Sequence, residues 1–175
     1  VLWQQLSRQQ TERLKEVSSG AAMKLSYTVF PLDNSPGFLI YKTATMMKAE
    51  LSRAFHAAGF SVTPEQWAVL NRLWESEGES QTVLAGRTSK DRHNITRILD
   101  LLEKNGLVRR EPDPEDKRYR RIFLTDEGKA LKKKLIPIVK KHLGRALSGL
   151  DHEDVDQLTR IHEHIVENLG ESVPE

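Results

Sequence analysis

From residue 38 onward, apolar positions recur every three or four residues, in runs that punctuating residues cut into helices. Phe38, Tyr41, Leu51, Phe55 and Ala58 keep helix-compatible intervals between the turn cluster Asp33-Asn34-Ser35-Pro36-Gly37 and Gly59, a C-cap residue. Thr63-Pro64-Glu65-Gln66 is a start signal, with Thr as N-cap, Pro at the first helical position and Gln at the third. The helix it opens carries Trp67, Leu70, Leu73 and Trp74 and closes near Gly78. A short element around Val83, Leu84 and Ala85 leads to a helix capped by Asp91 and closed by Asn105-Gly106. Ile95, Ile98, Leu99 and Leu102 form the apolar stripe of that helix, while His93, Arg97, Asp100 and Lys104 point the other way.

The pattern then shortens. Leu107-Val108 and Ile122-Phe123-Leu124 are β-like runs around Pro112-Asp113-Pro114-Glu115-Asp116-Lys117-Arg118, which prolines and charges mark as an exposed hairpin tip. Thr125-Asp126-Glu127 begins a long helix, with Leu131, Leu135, Ile138, Val139, Leu143, Ala146, Leu147 and Leu150 as its stripe. Pro137 lies inside it and predicts a kink, because it removes one backbone donor. Ser148 to Asp151 break the run, and Asp151 caps a last helix whose stripe is Val155, Leu158, Ile161, Ile165 and Leu169.

The predicted fold class is mainly α (α+β): a winged helix-turn-helix lobe, in which a hairpin directly follows a helix, set between N- and C-terminal helices. The divisions expected are 23–62 as the N-terminal helix region, 63–124 as the winged lobe, 125–170 as the C-terminal helices, and 171–175 as a tail. Residues 1–22 precede the first Met, Met23, and read either as a tag or flexible extension or as a genuine N-terminal helix.

Composition narrows the function. Apolar content is 38% and charged content 30%, no apolar run approaches the roughly 18 residues of a membrane span, and Val1 to Gly20 has no signal-like apolar region. With no cysteine, disulfides and thiolate metal sites are excluded, so a cytoplasmic protein is expected. Charge is distributed unevenly. Gly86 to Phe123 holds eleven Lys or Arg against seven acids, a local charge of +4 where the whole chain is only +2. A local basic surface with a helix in it is the electrostatic footprint of a nucleic-acid reader.

A helix of this size fits the major groove of B-DNA, and its leading end needs donors and acceptors to read bases. His93, Asn94, Thr96 and Arg97 supply them, while Lys90, Arg92, Arg109 and Arg120 suit phosphates. At the hairpin tip, Lys117 and Arg118 suit a minor groove. No nucleotide-binding, hydrolase or zinc-protease motif is present, so neither an enzyme nor a cofactor is expected. His142, His152, His162 and His164 all fall in the C-terminal helices. His162 and His164 lie about 200° apart around a helix and cannot share an ion, so no metal site is expected. Trp67 and Trp74, seven residues apart, share one helical face that either packs the core or walls a ligand cleft.

Asp116-Lys117-Arg118, five residues, then Leu124-Thr125-Asp126-Glu127-Gly128 resembles the D-x-R-x5-L-T-x-x-G signature of the MarR (multiple antibiotic resistance regulator) family of bacterial transcription factors. Leu84-Ala85-x-Arg87 and the stretch from Asn94-Ile95-Thr96-Arg97 to Gly106-Leu107-Val108 are similar to that family's recognition helix and its exit. The resemblance covers roughly Gly37 to Leu169. It implies an obligate homodimer, with the stripe residues Leu135, Ile138, Leu143, Leu147, Leu158, Ile161 and Ile165 as candidates for the seam. It implies that Arg118 is the wing-tip arginine and that Asp116 braces the wing by pairing with a nearby Arg. It also implies a cleft for a small aromatic or phenolic effector, for which Tyr41, Trp67 and Trp74 are the candidate wall. The family's cysteine-based sensing is excluded, since this chain has none.

The resulting expectation is a regulator, in the first instance a repressor, that binds a pseudopalindromic operator in double-stranded DNA as a homodimer and is released by a small molecule. The alternative is a winged-helix interaction module, or a non-specific DNA-binding protein without an operator.

Overall fold

The computed structural model describes residues 32–170, so the expectations for residues 1–22 and for the 171–175 tail lie outside the described residues. Among the described residues, those up to Ala44 belong to one compact unit, and those from Thr45 to a second that holds the core. A 3-10 turn, Leu32–Asn34, precedes helix α1 (Pro36–Ala57), so Pro36 and Gly37 belong to the helix's first turn rather than to a loop. Proline fits there because the first helical residues have no intrahelical use for their N–H groups.

Helix α2 (Pro64–Glu75) has the start its sequence announces. Gln66 N–H donates to Thr63 Oγ1 at 3.2 Å, and Thr63 N–H donates to Gln66 Oε1 at 2.9 Å. This reciprocal pair satisfies two donors that a helix start leaves orphaned. Strand β1 (Glu79–Ser80), which the apolar pattern is too short to reveal, precedes α3 (Gln81–Arg87). Helix α4 (Arg92–Lys104) is capped by Asp91, whose carboxylate accepts from Asn94 N–H at 2.8 Å. At its other end Gly106, at φ +69°, lets Leu107 N–H reach Leu102 O at 2.9 Å and Gly106 N–H reach Glu103 O at 2.9 Å. That paired arrangement closes the helix and turns the chain into the hairpin.

The hairpin is β2 (Val108–Pro112) and β3 (Arg120–Leu124), which pair antiparallel with Val108 opposite Leu124 and Pro112 opposite Arg120. Pro112 therefore ends a strand instead of opening the tip, and the tip is residues 113–119. β1 joins the other side of β3, giving a three-stranded sheet in the order β1-β3-β2.

Helix α5 (Asp126–Ala146) runs through Pro137 without a break in the helix. Pro137 is exposed, so water can satisfy the carbonyl left without a donor one turn earlier. Leu147 caps the helix, and Leu150 lies beyond it, so neither belongs to its stripe as expected. Helix α6 (His152–Leu169) follows, capped by Asp151 with a reciprocal bond to Asp154.

One apolar core joins Leu51 and Phe55 of α1, Val69, Leu70 and Leu73 of α2, the α4 stripe, Ile122 and Leu124 of β3, and Leu131, Leu135 and Val139 of α5. All four stripe residues of α4 are buried, so its opposite face is turned outward. In contrast, α6 buries no residue at all.

Candidate nucleic-acid interface

The outward face of α4 is presented by its own packing. Arg92, His93 and Arg97 are exposed near its leading end, and Asn94 and Thr96 are half-buried. The two half-buried side chains are engaged. Asn94 donates through its amide to the capping carboxylate of Asp91. Thr96 Oγ1 donates to Arg92 O at 2.7 Å and accepts from Gln81 Nε2 at 2.5 Å. Gln81 thus ties the first residue of α3 to α4, a brace that sequence spacing did not reveal. Between the two helices Ser89 sits at φ +49°, a left-handed conformation uncommon for a side chain other than Gly or Asn, and half-buried Lys90 follows it.

The basic residues of the Gly86–Phe123 stretch divide into two sets. Five are ion-paired. Arg87 bonds Glu75 at 2.8 Å and also Glu79; Arg109 pairs with Glu111 and stacks over the Phe123 ring at 5.0 Å; Arg110 bonds Asp100 and Glu103, each at 2.6 Å. Arg118 pairs with Asp116 at 2.6 Å and Arg121 with Asp113 at 2.5 Å. Arg109, expected at phosphates from its type, is therefore held against the hairpin. The other six, Lys90, Arg92, Arg97, Lys104, Lys117 and Arg120, make no salt bridge among the described residues. They lie on α4, on the turn before it, or on the wing.

The tip of the wing is built by two aspartates. Asp113 Oδ1 accepts from the N–H groups of Glu115 (2.8 Å) and Asp116 (3.2 Å), an Asx-type turn. Asp116 accepts from Arg118 N–H and from both Nε and Nη2 of its guanidinium, at 2.6–3.1 Å. Both carboxyls are held below the ordinary carboxylate range, Asp113 chiefly by the Arg121 side chain and Asp116 chiefly by the Arg118 side chain. Arg118 remains 85% exposed, so the pairing aims its guanidinium without covering it.

The L-T-x-x-G segment fastens the wing to the rest. Thr125 N–H donates to Leu107 O at 3.1 Å, and Thr125 Oγ1 donates to Gly106 O at 2.6 Å while accepting Gly128 N–H at 3.0 Å. A Cβ on Gly128 would stand 2.1 Å from Leu107 O, so only glycine lets α5 approach the end of α4 this closely. Trp74 Nε1 donates to Gly128 O at 2.9 Å.

The residues considered for an effector cleft differ in burial. Tyr41 is exposed on α1. Trp67 and Trp74 pack against the core from α2, and the Trp67 indole N–H is buried with no partner among the described residues. Trp74 borders a cavity of about 350 Å³ lined also by Leu124, Lys129 and Lys132. Of the candidate seam residues, Leu135 is fully buried in the chain's own core and Ile138 packs against it. Leu143, Leu158 and Ile161 are exposed, while Leu147 and Ile165 are half-buried. No group of three or more His, Asp or Glu placed to hold a metal occurs among the described residues, and no described helix is long and apolar enough to cross a membrane.

The profile of the MarR family matches residues 62–119, the span from the start of α2 to the tip of the wing. The transcriptional regulator HosA of Escherichia coli O111:H- is 37% identical over 103 residues, which are 57% of this chain and 76% of HosA. The chain belongs to the MarR family. Its members are winged-helix regulators of transcription, and α3, α4 and the β2–β3 wing are its helix-turn-helix and wing. The HTH-type regulator YkoM of Bacillus subtilis (strain 168) is also 37% identical, over 95 residues covering 54% of this chain. The match spans 62% of YkoM, less than two thirds of that protein's length. Among solved structures, the repressor CouR bound to a 23-mer DNA duplex is 27% identical, covers 77% of this chain and 94% of its own, and superposes with a TM-score of 0.70. CouR from Rhodococcus jostii RHA1 bound to p-coumaroyl-CoA is 26% identical with a TM-score of 0.68, over 78% of this chain and 95% of its own.

Proposed function

We propose that this MarR-family chain is a repressor that binds a pseudopalindromic operator as a homodimer. Two copies of α4 enter successive major grooves on one face of the duplex, about 34 Å apart by the helical repeat. The observation that carries the reading is the division of the basic residues. Arg87, Arg109, Arg110 and Arg121 are held within the lobe, Arg118 is paired yet exposed at the tip, and the cations without a salt bridge among the described residues are left on α4, its preceding turn and the wing, free to neutralise phosphates. Arg97, His93 and Asn94 read bases, and Arg92, Lys90 and Arg120 hold the backbone. Lys117 and Arg118 enter the minor groove, with Asp116 setting the direction of Arg118. Thr96, its hydroxyl already shared between Gln81 and Arg92, sets the orientation of the helix.

Residues 63–124 form the reading lobe, and residues 23–62 and 125–170 join the copies. The bare apolar stripe of α6 supports that division, with Leu158 55% and Ile161 51% exposed. Charge supports it as well: α5 carries seven Lys or Arg against two acids, and α6 five acids against one Arg. A small aromatic or phenolic effector, by analogy with the p-coumaroyl-CoA bound by CouR, weakens operator binding by shifting the spacing of the two lobes.

The test is selection of bound duplexes from a random pool at physiological salt. An inverted repeat with half-sites about one turn apart supports the operator reading. Arg97→Ala then relaxes preference at one position per half-site and costs roughly 1–3 kcal/mol. Recovery of no motif, with binding that vanishes as salt rises, would leave only backbone contact and overturn it.

A further inference from the structure

Asp100 and Glu103 sit one turn apart on α4, the helix that faces the nucleic acid. Two carboxylates on such a helix repel phosphates unless something holds them. In this chain one guanidinium holds both. Arg110 Nη2 donates to Asp100 Oδ1 at 2.6 Å, and Arg110 Nη1 donates to Glu103 Oε2 at 2.6 Å. The backbone joins in, since Arg110 N–H donates to Glu103 Oε1 at 3.2 Å. β2 is an edge strand of the sheet, and an edge leaves alternate N–H groups unpaired; this one goes to the recognition helix. The Arg110 side chain is only 19% exposed, whereas Asp100 and Glu103 are 58% and 40% exposed. Its position is thus fixed by packing, and its two arms reach outward to the helix. The neighbouring Arg109 is occupied on the wing itself, by Glu111 and the Phe123 ring.

We propose that Arg110 is a positioning residue for DNA recognition: its fork clamps the base of the wing to α4, so that major-groove reading and minor-groove insertion occur in one register. This rests on the DNA-reading function proposed above. Arginine suits the role because its planar donors engage two acceptors in fixed geometry, where lysine would hold neither at a set angle. The clamp spans the connection from Asn105 to Arg109 and adds a side-chain tie to the backbone bonds that close α4 and pair β2 with β3.

The clamp and simple charge repulsion make opposite predictions. If Asp100 and Glu103 merely repel DNA, the variant Asp100→Ala/Glu103→Ala, which removes two negative charges, binds more tightly. If they anchor the clamp, it binds more weakly despite its gain in positive charge. The probe is the inverted-repeat duplex selected with the wild-type protein, measured by fluorescence anisotropy at several salt concentrations. We expect the double-alanine variant to bind about tenfold more weakly, because a wing no longer held in its bound position must be ordered on binding. Reselection should lose preference at the flanking minor-groove positions and keep it at the positions read by Arg97. The conservative variant Asp100→Asn/Glu103→Gln keeps both acceptors and should recover most of that flanking preference. Both acids are largely exposed and alanine favours helix, so the thermal midpoint should move little.

Equal or tighter binding by the double-alanine variant, with an unchanged selected motif, overturns the clamp. Arg97→Ala separates the two levels of the argument. If it too leaves motif and affinity unchanged, the DNA-reading function has failed; if Arg97→Ala relaxes the motif and the double-alanine variant does not, only the clamp has failed.

Discussion

Gly128 shows how a single residue sets the relation between two elements. Its missing side chain is a steric requirement, because Leu107 O occupies the place a Cβ would take. Gly128→Ala should therefore cost at least about 3 kcal/mol in chemical unfolding, through displaced backbone and loss of the Trp74 and Thr125 bonds around it. Gly144, on the same helix, meets no heavy atom within 4 Å, and Gly144→Ala should stabilise by roughly 0.5 kcal/mol through helix propensity. Equal effects of the two substitutions would contradict the packing argument. Other residues likewise act through what they hold. Gln81 and Arg110 are positioned to orient α4 rather than to touch a ligand, yet a scan for readers passes over both, because their partners lie 15 and 7–10 residues away.

Among elements, the wing depends most on charge. Its tip is ordered by Asp113 and Asp116 in their ionised forms, and the Arg121 and Arg118 side chains hold both carboxyls below the ordinary aspartate range. A carboxyl whose folded value is depressed contributes order that is complete above its unfolded value and disappears as pH falls through the folded one. The tip should accordingly loosen only in acid, as pH falls below the ordinary aspartate range. Amide signals of Glu115 and Arg118, followed by NMR during an acid titration, should change before those of Ile98 and Leu102 in α4. Simultaneous change in both sets would mean that the wing has no acid-sensitive order of its own. Helix α4 differs: its orientation follows from the burial of Ile95, Ile98, Leu99 and Leu102, which pH does not touch.

At the scale of the molecule, α6 is the decisive element. A helix of 18 residues with no fully buried side chain gains little from the described residues of its own chain, and its capping box alone would leave it marginal in water. A second copy that covers the stripe removes the difficulty. Leu158→Asp together with Ile161→Asp should convert a dimer to a monomer in sedimentation equilibrium and lower the thermal midpoint, since stability and association are linked. A variant that stays dimeric with wild-type stability would place the seam elsewhere. Leu135 is not part of that test, because its burial is already complete within the chain.

Periodicity and punctuation determined most of the architecture, for local reasons. Thr63, Asp91, Thr125 and Asp151 are the N-caps that their side-chain chemistry announces, and the α4 stripe is buried as its spacing requires. Such features depend on residues within one turn of each other, and the concentration of positive charge is equally local. Tertiary structure decided which charges are spoken for. Arg109 and Arg110 are adjacent and chemically identical, yet one stacks on Phe123 and the other grips α4, because successive residues of a strand face opposite ways and meet different neighbours. It likewise decided that Leu135 is core while Leu158 is bare, although both sit in stripes of the same period. Period tells which side of a helix is apolar; only the packed chain shows whether that side has already found its partner.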